Sequence, residues 1–310
     1  MVYSRFKAYV LNMEKNQHFV IAHLSDLHLT ASDDEKRKAR IFGSLSGMNE
    51  AFRKIIKSET ISQANLIIIT GDVTDRGDVE SWKVFWKAIA EAGLSEKVLI
   101  VPGNHDLCCM RARMPFKKKE HRKSDLEKAN NGLKIGNQKT EFPWARAFDG
   151  RVAVFGLNSN NIGNISVLSN AMGRISRYQL QSFAHKLDSH RHIPVKIVAL
   201  HHSPNIQEKV TGKKRGRKLV RRLILAGRQL PKRQRRALLM LCLSQGVSVI
   251  AHGHVHKAQD HIVSGIRIVG APPTTQPIMQ RSGRNFYQFY TYTIEGRAGK
   301  VNTRLRTIEV

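Results

Sequence analysis

Five short apolar runs rich in β-branched residues punctuate the chain, at 19–24, 66–70, 98–101, 195–200 and 247–251, and a cluster of Asp, His, Asn or Gly closely follows each. Runs of this kind predict strands. Between them the apolar spacing becomes helical. Ile41, Leu45, Met48, Phe52, Ile55 and Ile56 predict a helix over 35–57. Trp82, Phe85, Trp86 and Ile89 predict a second over 78–92, stopped at Gly93. Ser176 caps a third, over 176–187, and Pro231 opens a fourth that runs to 243. A further strand at 152–157 carries no metal-ligand cluster at its end. The late segments 262–269, 286–294 and 300–308 read as strands, the last two joined by a turn near Gly296 and Gly299. Strand and helix thus alternate early and strands dominate late, an α/β pattern.

The clusters at the strand ends carry the chemistry. They are Asp26-Leu27-His28, Gly71-Asp72-Val73-Thr74-Asp75-Arg76-Gly77, Gly103-Asn104-His105-Asp106, His201-His202 and His252-Gly253-His254-Val255-His256. A strand tip is where a rigid sheet can aim side chains into a cleft. Asp, His and Asn together make a ligand set for divalent ions such as Mn, Fe or Zn. If the chain stays extended, alternate residues point to one side, which would pair Asp26 with His28 and His254 with His256. Glycines at 71, 103 and 253 allow sharp turns or close approach to an ion. A carboxylate can bridge two cations, and Asp72 is the candidate for that place. His201 directly follows its strand and is preferred over His202 as a ligand. His202 would stand behind it or face the substrate. Asp106 reads as a turn or supporting residue.

These five blocks, in this order across residues 26–256, resemble the signature of the calcineurin-like metallophosphoesterases: D-x-H, G-D-x-x-D, G-N-H-[DE], H and G-H-x-H. The resemblance implies a four-layer αββα sandwich of two mixed sheets flanked by helices. It implies two divalent ions, one held by Asp26, His28, Asp72 and His256, the other by Asp72, Asn104, His201 and His254. Two such ions, about 3.5–4 Å apart, clamp a phosphate and activate a hydroxide for in-line attack. His105 matches the family's catalytic histidine that is not a ligand, suited to protonate the leaving group. Asp75 is placed to fix its tautomer, and Arg76 to bind a phosphate oxygen. The third and fourth blocks look most like the bacterial cyclic-nucleotide phosphodiesterase branch, which implies a phosphodiester or nucleotide substrate. Two rival readings are a UDP-2,3-diacylglucosamine pyrophosphatase of lipid A synthesis at the membrane and a nucleic-acid-binding protein or nuclease. Some pyrophosphatases of that group carry Arg where His105 stands here.

Composition sharpens the partner question. The 310 residues carry 52 Lys and Arg against 24 Asp and Glu, a formal net charge of +28. The charge is concentrated: 209–236 holds thirteen basic residues and no acid, and 111–123 holds seven with one acid. Such density attracts a polyanionic surface, either an anionic membrane or nucleic acid. The site spans most of the chain, so residues 18–310 read as one domain with basic insertions at about 110–141 and 207–236, after a tail over 1–17. Helical stretches are expected within the insertions at 123–133 and 219–225. Three cysteines, Cys108, Cys109 and Cys242, are too few for a disulfide framework and suit a reducing compartment. No apolar run is long enough to cross a membrane. The expected location is cytoplasmic, soluble or peripheral at the inner membrane.

Overall fold

The computed structural model describes residues 18–35, 37–39, 43–107, 125–162, 170–205, 229–281, 283–296 and 299–310. The 1–17 tail, Cys108, Cys109, the basic run 111–123 and most of 209–236, with its expected 219–225 helix, lie outside the described residues.

The buried apolar runs form the centres of two six-stranded mixed sheets. In the first, β1 (Phe19–Leu24), β4 (Leu66–Ile69) and β5 (Val98–Ile100) lie parallel. The long β13 (Arg284–Glu295) runs antiparallel beside β1, and β12 (Met279–Arg281) and β14 (Lys300–Glu309) pair with β13. The second sheet has the order β10-β11-β9-β8-β7-β6. Its strands β7 (Val152–Gly156), β8 (Val195–Ala199), β9 (Val249–His252) and β11 (Ile266–Gly270) are parallel. The edge strands β6 (Trp144–Phe148) and β10 (Gln259–Val263) run antiparallel to their neighbours.

Alternation along each strand sorts the core into three layers. Ile21, Leu66, Ile68, Ile197, Val249 and Tyr292 fill the space between the sheets. Ala22, Leu24, Ile67 and Ile69 face outward against α1 (Met48–Ile56) and α3 (Val79–Glu91), where Phe52, Ile55, Trp82 and Phe85 are buried. On the opposite side Phe155, Val198 and Ile250 pack on α6 (Arg177–Ser189) and α7 (Lys232–Ser244) through Phe183, Leu187, Leu238 and Cys242. The result is the four-layer αββα arrangement, with all five ligand-bearing loops at the C-terminal ends of parallel strands.

The caps follow the sequence. Asp78 accepts the N–H of Ser81 at the start of α3, and Ser176 accepts that of Gln179 at the start of α6. Two local expectations are corrected. The 35–57 helix starts only at Met48, and a small hairpin of β2 (Arg37–Ala39) and β3 (Gly43–Leu45) precedes it. The Gly43-Ser44-Leu45-Ser46-Gly47 stretch favours extended and turn backbone over helix, and Gly47 takes φ 76° just before α1. The 262–269 strand is two strands, β10 and β11, folded at Ser264 and Gly265, whose φ values of 50° and 86° suit a tight hairpin turn. The insertion's expected helix forms as α5 (Leu126–Ile135) after a one-turn α4 (Asn104–Leu107), with the short α2 (Glu59–Ser62) earlier in the chain. It packs on the core. Ala129 and Leu133 are buried, and Trp86 Nε1–H donates to the Gly132 carbonyl at 2.8 Å.

Candidate metal centre

The first and second ligand loops are laced together by backbone bonds beyond the ends of β1 and β4. Asp26 N–H donates to the Gly71 carbonyl at 3.0 Å and His28 N–H to the Asp72 carbonyl at 2.9 Å. The chain is not extended there. Asp26, His28, Asp72, His254 and His256 all have positive φ, between 48° and 65°. Asp26 and His28 therefore come together through left-handed turns and not through strand alternation, while His254 and His256, with the same backbone, go to different clusters. Gly103 permits the third loop to close on the second: a Cβ there would collide with the Asp72 backbone nitrogen and carboxylate.

Six of the seven expected ligands fall into two clusters that share Asp72: Asp26, His28, Asp72 and His256 in one, Asp72, His201 and His254 in the other. In the first, His28 Nε2 lies 3.2 Å from His256 Nε2, and His256 Nε2 lies 3.2 Å from Asp26 Oδ1. In the second, His201 Nε2 is 3.3 Å from Asp72 Oδ2, 3.2 Å from His254 Nδ1 and 3.1 Å from Asn104 Oδ1. That last contact brings Asn104, the seventh, to the second cluster. Asp72 Oδ2 is 4.0 Å from His28 Nε2 and so stands between the two groups.

The donor set fits divalent cations. His201 Nδ1–H donates to the Thr70 carbonyl at 2.7 Å, which directs Nε2 at the other ligands. Burial lowers the His201 pKa, but Asp72 more than offsets this and it rises to about 9. His201 Nε2 thus lies within 3.3 Å of atoms on Asp72, Asn104 and His254, the spot a cation would take. Burial, and then the charge of His105, holds His28 well below the ordinary histidine range. Burial and His201 take His254 down to about 3. Both offer lone pairs. Burial alone would raise the two carboxyls. His256 holds Asp26 down, and His201 and His105 hold Asp72 down, so both are ionised.

His105 stands beside the clusters. Its N–H donates to Asp72 Oδ1 at 2.8 Å. Its Nδ1 lies 3.0 Å from the Asp75 backbone carbonyl and 3.6 Å from the Asp75 carboxylate. Asp75 therefore orients His105 chiefly through its backbone, with the carboxylate in support. Arg76 is half-exposed, and its guanidinium pairs with Glu35 at 2.8 Å. Glu35 had no place in the sequence reading, because it lies in the stretch taken as helix.

Two further residues gain definite surroundings. Asp106 is buried and accepts from Gly103 N–H and Thr74 N–H, both at 2.8 Å, from the Thr74 hydroxyl at 3.0 Å, and from Val73 N–H at 3.3 Å. It ties the second and third loops together, while burial and the nearby Asp72 push its carboxyl up to about 6. His202 packs against the ligand cluster without joining it. Its Nδ1 pairs with Ser159 Oγ at 3.0 Å, and its ring centroid lies 4.4 Å from that of His254.

Comparison with known proteins shows which chains this one is similar to. Over 88 residues the chain is 28% identical to a probable cyclic nucleotide phosphodiesterase of Xenorhabdus bovienii, covering 28% of this chain and 34% of that protein. Over 86 residues it is 34% identical to one of Coxiella burnetii, covering 28% of this chain and 31% of that protein. The matched segment thus spans about a third of each relative. Among solved structures, the fold matches a dimetal phosphatase of Danio rerio with a TM-score of 0.56 and 14% identity, covering 93% of this chain and 98% of that one. A Thermus thermophilus protein matches with a TM-score of 0.51 and 13% identity, covering 93% and 99%. Residues 19–258 match the family model for calcineurin-like phosphoesterases, and the chain belongs to that family of phosphoric-ester hydrolases with dinuclear metal centres.

Proposed function

We propose that the chain hydrolyses a phosphodiester of the cyclic-nucleotide or related nucleotide class. The observation that carries the reading is the pair of ligand clusters sharing Asp72 with His105 beside them. The two relatives named as probable cyclic nucleotide phosphodiesterases support the substrate class.

In this reading Asp26, His28, Asp72 and His256 hold one ion, and Asp72, Asn104, His201 and His254 hold the other. The donors suit Mn, Fe or Zn. When bound, the ions supply Lewis acidity toward the phosphate and a water acidic enough to ionise near neutral pH. The protein's own groups do the rest. The hydrogen bond to the Asp75 carbonyl keeps a proton on His105 Nδ1, so Nε2 is the nitrogen that gives a proton to the departing alkoxide. The Asp75 carboxylate, 3.6 Å away, favours the charged ring that this donation requires. Arg76, once released from Glu35, can bind a non-bridging phosphate oxygen.

Residues 18–310 act as one catalytic domain in this reading. The uncompensated charge of 209–236 supports attraction to a polyanionic surface. Among the described residues no helix is long and apolar enough to cross a membrane.

The test is a substrate panel on metal-reconstituted protein: bis-p-nitrophenyl phosphate, cyclic nucleotides, p-nitrophenyl phosphate, UDP-2,3-diacylglucosamine and single-stranded DNA. Turnover of a diester or cyclic nucleotide that stops on chelation and returns with Mn supports the reading. Preference for the monoester, for the lipid-linked pyrophosphate or for DNA would replace the substrate class.

A further inference from the structure

We propose that the loop after β7, on the strand that carries no ligand of its own, positions the ligands of the second ion through Ser159, Asn160 and Asn170. This rests on the two-ion reading above.

Ser159 is fully buried. Its Oγ accepts the N–H of His201 at 3.2 Å and of His202 at 3.0 Å, and it pairs with His202 Nδ1 at 3.0 Å. A hydroxyl has one proton and two lone pairs. With both lone pairs taken, its proton goes to His202 Nδ1, and the group is saturated. One side chain therefore fixes the His201 backbone and the ring that packs against His254. Asn160 Nδ2–H donates to the Pro102 carbonyl at 2.8 Å, two residues before Asn104. Asn170 Nδ2–H donates to the Asn104 carbonyl itself at 3.0 Å. Both Asn160 and Asn170 are buried. The side-chain amide of Gln179 on α6 clamps the loop's start, bonding Asn158 N–H and carbonyl at 2.8 Å each.

The first ion's loop is held by different means. Thr274 Oγ1 accepts Ser25 N–H at 3.0 Å, and Thr275 Oγ1–H donates to the Leu27 carbonyl at 2.7 Å, on either side of Asp26. The two ligand sets therefore have different side-chain supports, from the loop after β7 and from the segment after β11, and they are linked to each other through Asp72 and through the His254 N–H, which donates to Asp26 Oδ2 at 3.0 Å. Loss of one support should weaken one ion and spare the other. Removing such supporting groups typically costs about 10–100-fold in metal affinity.

The experiment titrates Mn into the metal-free 310-residue chain by calorimetry, with Ser159→Ala, Asn170→Ala and Thr275→Val beside the wild type. Wild type should take up two ions. Ser159→Ala and Asn170→Ala should each keep one site within about twofold of wild type and weaken the other by about 10–100-fold. Anomalous difference maps should place the retained ion among Asp26, His28 and His256. Thr275→Val should give the opposite pattern. Asn170→Ala removes a single hydrogen bond and carries the test if Ser159→Ala does not fold. Equal weakening of both sites, no weakening, or a retained ion beside Asn104 and His201 would overturn the assignment. A wild type that binds fewer than two ions would overturn the two-ion reading, and this inference with it.

Discussion

Asp72 and His105 are joined by a hydrogen bond from the His105 backbone N–H to Asp72 Oδ1 at 2.8 Å, while Asp72 Oδ2 faces His201 and His28. One oxygen thus sets the backbone of the proposed acid and the other stands between the two ligand clusters. Asp72→Asn keeps the shape and the acceptor but loses the negative charge that two cations would share. Elemental analysis should find about one ion or fewer per chain, and diester turnover should fall by about 1,000-fold or more. Two tightly held ions with normal turnover in this variant would remove Asp72 from the bridging place.

His105→Ala separates proton donation from metal binding. Metal content should stay near wild type, while turnover of a diester with a poor leaving group should drop by about 100-fold. With p-nitrophenolate, which leaves without a proton, the loss should be much smaller. Equal losses on both substrates would exclude His105 as the acid.

Arg76 and Glu35 offer a test of phosphate binding. Arg76→Ala should raise KM for the diester by about tenfold, at the low end for a charge-assisted bond because the Arg76 side chain is 43% exposed. Glu35→Gln should lower KM or leave it unchanged, since it frees the guanidinium. An unaltered KM in Arg76→Ala would make the residue a surface ion-pair partner.

The interior predicts an acid weakness. His23 is buried between the Tyr292 hydroxyl at 2.5 Å and Thr70 Oγ1 at 2.9 Å. Burial, and then His252, take its pKa down to about 3, and burial takes His252 down to about 4. In the unfolded chain both titrate near 6.5, so below that pH the unfolded state binds more protons. Stability should therefore fall with pH from about 6.5 downward, by up to about 1.4 kcal/mol per unit for each group, until the folded values are reached. Urea unfolding with chelator present, at pH 7 and pH 5, measures the slope. His23→Gln should flatten it, and an unchanged slope would show that His23 is already charged in the fold.

The ligand-bearing strands were legible because strands buried on both faces leave long apolar runs, and the polar clusters after Leu24, Ile69, Ile100, Ala199 and His252 interrupt those runs abruptly. Asp26, His28 and Asp72 could be named from type and order alone. Their backbone could not, because left-handed turns at Asp and His leave no periodic trace. The β2–β3 hairpin was hidden for the opposite reason: Ile41 and Leu45 happened to fall in helical register with the true α1. Ser159, Asn160 and Asn170 gave no signal either. Their roles depend on bonds to residues roughly 40 to 70 positions away, and a polar loop after a ligand-free strand looks like any other. The doublet Asn160-Asn161 near Asn158 and Ser159, a dense run of side chains able to bond backbone, was the one available hint.

The left-handed backbone at Asp26, His28, Asp72, His254 and His256 has a consequence for how this sequence can change over generations. Each such residue sits about 1 kcal/mol above what glycine would need in the same turn. A lineage relieved of its need for the ions would find glycine tolerated at all five places, and random substitution would erode them one by one. Asp or His at all five places is thus a backbone cost that the turns themselves do not need.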